Sequence, residues 1–362
     1  MQILHLISGL SSGGAESVLF KLIKHDKINT HHVISFSGGF YFNELRKIKV
    51  KVTIIELNKY FFFLQLPKII NIIYKNNPDI IQSWMYHADF ISIFLKIFLR
   101  KKIFYWNLRN TSPDIKWSSY STIIISRICA FFSSIVPSKI IACSTAVAKQ
   151  HLNLGYSKKK IKVIFNGFDP SKFKKNLKIR KILRSNLRIP NNCFLIGCFA
   201  RYHPQKDHKS LLIAFNLLIN KNKNVRLLLI GHKIKKITNQ IEYQINQKKI
   251  TILKPTSKIN EMYNAIDLFV LPSVGYEGFP NVLAEAMLSE NHCLSTDIGD
   301  SRKILNNYGK IFKKNNPVDL MKKIDKFYLK KKTHNRSGRK YVLKNFLIDK
   351  MVKKYNLIWN GK

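Results

Sequence analysis

LFVLPSVGYEGFPNVLAEAMLSENHCLSTD (268–297) reads as a strand, a loop, a helix and a second strand. LFVLPS (268–273) is a short apolar run bounded by proline and glycine, the length of a buried strand. Val282–Ser289 is helical, with Asn281 placed to cap it. CLSTD (293–297) is again a strand. Two strands joined by a helix within 30 residues form a parallel βαβ unit, since parallel neighbours need a crossover of this length.

Moving outward, the alternation continues on both sides. Upstream lie FLIGCFA (194–200), a helix over His208–Asn220, RLLLIG (226–231), a helix over Ile234–Asn246 and ITIL (250–253). Residues 168–192 are basic, polar and without clear period, and read as a linker. Before them comes a second alternating series. Its strands are QILHLIS (2–8), HHVISFS (31–37), KVTIIEL (51–57), DIIQSW (79–84), KIFYWNLR (102–109), KIIACS (139–144) and KIKVIFN (160–166), with helices between them. The fold class is therefore α/β, with two Rossmann-like, doubly wound domains. The expected boundaries are 1–167, 168–340 and a basic helical tail, 341–362, able to cross back to the first domain.

Composition agrees. The chain has 362 residues and 46% apolar content, which is enough burial to offset ordering entropy and excludes a disordered polyelectrolyte. Five cysteines without CxxC spacing argue against a disulfide framework or a zinc site and fit a reducing cytoplasm. No run is long and uninterrupted enough to span a bilayer. The N-terminal MQILHLISGLSSGGAES has no basic region ahead of its apolar residues, unlike a secretion signal.

The charge is extreme. Lysine and arginine number 63 against 20 acids, a formal charge of +43, and residues 310–362 hold 17 of the cations and 3 of the acids. Such a chain attracts anions. Spread-out solvated faces, an anionic membrane surface and nucleic acid all fit the charge alone. No nucleic-acid module or recognition helix is visible, so a membrane surface ranks above nucleic acid.

In doubly wound sheets ligands bind beyond the carboxyl ends of the strands. SSGGAE (11–16) joins the first strand to the first helix; glycines there permit close backbone approach, and the helix start offers N–H donors. It lacks the G-x-G-x-x-G and P-loop spacing, and it also suits a plain tight turn. ARYHPQKDH (200–208) sets Arg201 and Lys206 on the loop after a strand, two cations suited to a diphosphate or simply to solvent. EGFPNVLAE (277–285) places Glu277 before a helix start and Glu285 one turn into it. The helix start suits a leaving diphosphate, so the two carboxylates make sense there only if they face neutral hydroxyls. His87, in WMYHAD (84–89), follows another strand end. The histidines form no metal-site pattern with carboxylates or cysteines.

Taken together, GGAE (13–16), MYHAD (85–89), NLRNT (107–111), KVIFNGFD (162–169), FARYHPQKDH (199–208), PSVGYEGFPNVLAEAM (272–287) and STDIGDS (295–301) resemble the retaining glycosyltransferases of family four. The resemblance implies a GT-B architecture, two Rossmann-like domains facing a cleft. It implies transfer of a hexosyl or N-acetylhexosaminyl group from a nucleoside-diphosphate sugar, by family frequency a UDP-sugar, to a growing glycan or lipid-linked acceptor in bacterial surface polysaccharide synthesis. Carried onto this chain, Glu277, Arg201, Lys206 and His87 take the catalytic roles. Gly14, Arg201, Lys206, Phe279, Pro280, Asn281, Val282 and Glu285 meet the donor; Gly13, His87 and Arg109 meet the acceptor. No metal or other cofactor is expected, and the location is the inner face of the cytoplasmic membrane. Gly275–Tyr276 departs from the family, where a serine-like residue precedes the glutamate. A UDP-N-acetylglucosamine 2-epimerase-like isomerase on the same fold would need acids for proton transfer at the sugar, which the arrangement Arg201–Lys206–Glu277–Glu285 does not suggest; a basic nucleic-acid-binding protein would leave the glutamate motif without a role.

Overall fold

A computed structural model describes residues 1–57, 62–222, 224–237, 247–330 and 334–361. Contacts divide the chain into two compact units. One comprises Met1–Gly167 together with the segment from Ile348 on; the other is Phe168–Leu347.

Among the described residues the first unit holds seven strands: β1 (Gln2–Ile7), β2 (Thr30–Ser35), β3 (Lys51–Ile54), β4 (Ile80–Trp84), β5 (Ile103–Leu108), β6 (Lys139–Ala142) and β7 (Ile161–Val163). They form one sheet in the order β3-β2-β1-β4-β5-β6-β7, and every pairing is parallel. β4 is buried along its whole length, as a central parallel strand covered on both faces must be. Side chains alternate between two cores. Ile3, Ile7, Ile80 and Trp84 enter one; Leu4, Leu6, Ile81 and Phe104 enter the other.

The first of these cores is completed by residues 348–359. The helix Ile348–Trp359 buries Ile348, Met351, Val352, Tyr355, Ile358 and Trp359, an i, i+3/i+4, i+7 stripe. Its polar groups are matched as well. Trp359 Nε1 donates to Gln82 Oε1 at 2.8 Å, Asn107 Nδ2 to Tyr355 Oη at 2.7 Å, and Tyr105 Oη to the Ile358 carbonyl at 3.2 Å. Gly167 permits the approach, because a Cβ there would lie 2.6 Å from Ile348 Cα. The tail thus changes units at Ile348, not at 341: the helix Arg336–Asn345 belongs to the second unit.

The second unit holds β8 (Phe194–Phe199), β9 (Val225–Ile230), β10 (Ile250–Leu253), β11 (Leu268–Leu271), β12 (His292–Thr296) and β13 (Lys310–Phe312) among its described residues. Their order is β10-β9-β8-β11-β12-β13, again parallel throughout. The expected helix over Ile234–Asn246 is a 3-10 turn, Ile234–Ile237, as far as the described residues go; 238–246 lie outside them.

The expected linker is corrected. Leu177–Asn186 is a helix, capped by Asn176 Oδ1, which accepts from the Lys178 and Ile179 amides at 3.0 and 3.1 Å. Its basic residues do structural work. Arg184 is fully buried and donates to Asp267 Oδ2 at 2.7 Å and to four backbone carbonyls; Arg180 bonds Asp267 Oδ1 at 2.5 Å. Asp267, just before β11, also accepts from the Leu195 amide of β8 at 2.8 Å. Cations buried against a shared carboxylate carry no apolar period, which is why the stretch resembled a linker.

Candidate functional site

In each sheet the strand order reverses direction beside one strand pair, β1/β4 in the first unit and β8/β11 in the second. Crossovers leave in opposite directions there, opening a crevice at the strand ends. The loops that carry the motifs leave these strands.

In the second unit the loop after β8 turns through a short 3-10 helix, Pro204–Lys206. The Val274 amide, in the loop after β11, donates to the Gln205 carbonyl at 2.8 Å and ties the two loops together. Lys206 and Glu277 then form an ion pair, both side chains mostly buried. Ser273 Oγ also donates to Glu277 Oε1, at 3.1 Å, and Thr296 Oγ1 of β12 donates to the Ser273 carbonyl. The loop after β12 supports the same residue from behind. Gly299 has φ +52° and lies so close to the Glu277 and Gly278 carbonyls that a Cβ would collide with both; the Asp300 amide donates to the Gly278 carbonyl at 3.0 Å. Glu277 is thus held at its side chain and its backbone. Its charge is offset by Lys206, a pairing the sequence reading did not include.

Tyr276 has φ +58°. A bulky side chain in the left-handed region costs about 1–3 kcal/mol and persists only where neighbours enforce it. The departure noted in the sequence therefore falls on a strained position, directly before Glu277.

The helix after this loop is Asn281–Leu288, preceded by Pro280. Asn281 is its first residue rather than its cap; Pro280, in extended conformation, takes the cap place without a side-chain hydrogen bond. Phe279 is buried, its ring centroid 6.2 Å from that of Phe168 and 5.3 Å from that of Phe346. Glu285 Oε2 accepts from Tyr263 Oη at 3.0 Å. Burial first, then the Glu285 charge, pushes the Tyr263 hydroxyl well above its usual range, so it stays a donor. Arg201 lies exposed on the loop after β8. His203 is lowered by burial and then by Arg201 and Lys206, a sign of the positive field of this loop. Asp207 Oδ1 caps the next helix, His208–Lys221, accepting from the Ser210 amide at 3.2 Å.

In the first unit Gly13 precedes the helix Gly14–His25, which follows β1. A Cβ on Gly13 would strike the Glu16 carboxylate, while one on Gly14 would meet open space. His87 is exposed in the first turn of the helix Tyr86–Phe98, which follows β4. Arg109, expected at the acceptor, is put to another use. It is 7% exposed, donates to Asn107 Oδ1 at 3.3 Å and to Asn166 Oδ1, and lies 5.5 Å from the Trp84 ring. Two side-chain amides and an aromatic face hold it inside the unit.

The structure also assigns places that the sequence did not. Ser273, Thr296 and Gly299 hold Glu277, and Tyr263 holds Glu285. STDIGDS (295–301) contains two of these residues, but only the chain crossing from β12 back to the 277 loop reveals their use.

Residues 12–172 match the sequence family described as Glycosyltransferase Family 4, and residues 179–341 match Glycosyl transferases group 1. The chain carries a family 4 and a group 1 glycosyltransferase domain. This glycosyltransferase is 25% identical over 327 residues to the capsular polysaccharide biosynthesis glycosyltransferase CapH of Staphylococcus aureus, covering 84% of this chain and 83% of CapH. It is 25% identical over 295 residues to CapM of the same organism, covering 78% and 76%. Among solved structures it resembles Anabaena HepE in complex with UDP, with a TM-score of 0.89, 20% identity and 100% of both chains covered. A glycosyltransferase from Rickettsia africae gives a TM-score of 0.84 at 24% identity, covering 99% and 98%. The fold is GT-B. Among the described residues no helix is long and apolar enough to cross a membrane.

Proposed function

We propose that this glycosyltransferase is a retaining enzyme. In this reading it moves a hexosyl or N-acetylhexosaminyl group from a UDP-sugar to a growing or lipid-linked glycan in bacterial surface polysaccharide synthesis. The observation that carries it is the Lys206–Glu277 pair at the β8/β11 switch point, on the loop that leads into the helix Asn281–Leu288. A cation, a carboxylate and a helix start converge where a sugar diphosphate needs a charge clamp and a hydroxyl acceptor. CapH and CapM are named for capsular polysaccharide, and HepE was crystallised with UDP-glucose, which supports the choice of pathway and donor.

The chemistry follows from these groups. The bond from the sugar C1 to the diphosphate oxygen breaks. The acceptor oxygen forms its new bond to C1 on the same face, and its proton passes to the departing diphosphate. Arg201, Lys206 and the amides at Asn281 and Val282 stabilise the charge that develops on that diphosphate, commonly the largest catalytic contribution. Glu277 bonds the sugar hydroxyls, Phe279 and Pro280 shape that contact, and Glu285, oriented by Tyr263, bonds the ribose. Gly13 and His87 serve the acceptor side, and Gly14 the donor. This set meets the developing charge without a divalent metal or another cofactor.

Attachment to the inner face of the cytoplasmic membrane fits the first unit. Residues 90–168 hold 13 lysines and arginines and a single acid, Asp114. Exposed among them are Ile97 and Phe98 on one helix and Tyr120, Ile124 and Phe131 on the helix Tyr120–Phe132. Apolar groups beside cations suit an anionic lipid surface. The sequence holds a second apolar-basic stretch, 60–75, of which residues 60 and 61 lie outside the described set. Co-sedimentation with anionic liposomes at physiological salt is expected; protein left in the supernatant refutes the attachment.

The direct test of the activity is thermal unfolding against a panel of nucleoside diphosphates and their sugars. Binding to the folded state raises its melting temperature. UDP and one UDP-sugar are expected to do so, and the anomeric configuration of the transferred sugar, read by NMR, should match the donor. An inverted product overturns the retaining mechanism.

A further inference from the structure

The chain enters the helix Tyr86–Phe98 through a backbone conformation that residues with a side chain rarely adopt. Met85, between β4 and that helix, has φ 69° and ψ 162°. This region is occupied almost only by glycine, and a side-chain-bearing residue stays there when its surroundings over-determine it. The surroundings here are specific. The Met85 amide donates to the Asn107 carbonyl of β5 at 3.0 Å; its own carbonyl accepts from the Ala88 and Asp89 amides at 3.1 and 3.0 Å. One side of the residue is fixed to the sheet and the other to the helix.

A second tie spans the same elbow. Asp89 is fully buried, and its Oδ1 accepts from Ser83 Oγ, on β4, at 2.5 Å. Its Oδ2 has no hydrogen-bond partner. Burial pushes this carboxyl well above the usual range, so the group is a neutral acid. Around it, Ser92 Oγ donates to the Asp89 carbonyl at 2.6 Å and Trp106 Nε1 donates to Ser92 Oγ at 2.7 Å. A buried carboxyl with an unmatched oxygen is a costly way to fill a core position. What it gains is a strand-to-helix bridge across residues 84–88, and the exposed side chain inside that span is His87.

We propose that the Met85 elbow and the Ser83–Asp89 bridge form one positioning device that fixes His87 at the end of β4, with Asp89 as the positioning residue. This rests on the reading of His87 as an acceptor-side contact. Neither Met85 nor Asp89 meets the substrates; each acts through the ring of His87.

Three comparisons test it. The first pairs Met85→Gly with Met85→Ala. In ordinary elements alanine is the more stable of the two; here the glycine variant is expected to melt at or above the alanine variant, and the usual order overturns the strain. The second uses the full chain labelled with ¹³C,¹⁵N-histidine, the His87 ring signal being assigned with His87→Gln. Asp89→Asn, which keeps size and an acceptor oxygen toward Ser83, is expected to leave that signal in place. Asp89→Ala is expected to shift and broaden it while UDP affinity stays within twofold. A His87 signal unchanged in Asp89→Ala removes the positioning role. The third is turnover with UDP-glucose as donor probe. Asp89→Ala is expected to lose about tenfold or more in kcat with donor KM unchanged, as for a displaced reacting-site contact, with recovery in Asp89→Asn. If His87→Ala keeps full turnover while the ring signal still responds to Asp89→Ala, the elbow stands and the acceptor-side role of His87 falls.

Discussion

The two units share a strand order around their switch points, β3-β2-β1-β4 in one and β10-β9-β8-β11 in the other, and in both the segment that follows the strand across the switch holds a strained residue. Met85 follows β4 and Tyr276 follows β11, each with positive φ. The candidate functional side chain comes directly after, His87 two residues on and Glu277 one. The chemistry around them differs. Glu277 sits in a charged network with Lys206 and Ser273, whereas the support behind His87 is neutral and buried, Asp89 with Ser83. The fold supplies the place and the strain; the loops set the chemistry of each place.

The units differ also in how each is closed, and the largest expected effects test that. Trp359→Ala should destabilise the first unit by about 3–5 kcal/mol, the usual cost of emptying a large aromatic site. Asp267→Asn should destabilise the second by about 3–5 kcal/mol, since Arg184 would remain buried without its charge partner. All four tryptophans, Trp84, Trp106, Trp117 and Trp359, lie in the first unit. Denaturation followed by tryptophan fluorescence should therefore move for Trp359→Ala and stay in place for Asp267→Asn, with circular dichroism reporting both. A fluorescence midpoint that drops equally in both variants would mean that the units unfold as one body.

Next come the charged residues of the second unit. Lys206→Ala and Glu277→Ala should each lower turnover by on the order of 10²-fold or more, as for removal of an oriented charge-stabilising group. Near-normal turnover in either purified variant takes that residue out of the mechanism.

Acidification should separate the units less sharply. Burial lowers His5, helped by His31, and takes His32 and His151 to about 4, all in the first unit; in the second, burial and Lys206 take His208 to about 4. Above about pH 6.5 these rings are neutral folded or unfolded, and stability does not depend on them. Below it the unfolded chain takes up protons that the folded units refuse, so each group weakens folding by about 1.4 kcal/mol per pH unit until its folded value is reached. Asp89, raised by burial, works in the opposite sense and offsets one histidine of the first unit. The fluorescence midpoint in urea should thus fall between pH 6.5 and 5; a midpoint independent of pH over that range would show these rings to be accessible.

The smallest effect should come from Ser273→Ala. One neutral donor to Glu277 is lost while Lys206 remains, so turnover should fall a few-fold, about 1 kcal/mol, with UDP affinity unchanged. A loss equal to that of Glu277→Ala would place Ser273 itself on the substrate.

The sheets were legible because parallel strands buried on both faces leave continuous apolar runs, as in DIIQSW and RLLLIG. Lys206 and Glu277 were legible as motif residues, but not as partners, since 71 residues separate them and only the adjacency of β8 and β11 joins their loops. Arg109 misled because its motif lies at a strand end, and nothing local indicates that Asn166, 57 residues on, holds it inside. Residues 168–192 misled for the opposite reason: Arg180 and Arg184 look like solvated charge until Asp267 is known to lie beneath them. Met85 carried no signal at all, because a methionine does not announce a backbone suited to glycine.

The helix Ile348–Trp359 has a consequence for how the protein is made. Residues 1–167 leave the ribosome before residues 348–359, and until then the core under β1 and β4 lacks Tyr355 and Trp359. The second unit, complete at Leu347, has all its residues earlier. Birth order and folding order are therefore reversed: the nascent first unit must wait with an apolar face uncovered, open to chaperones and to premature association, until the helix Ile348–Trp359 arrives to cover it.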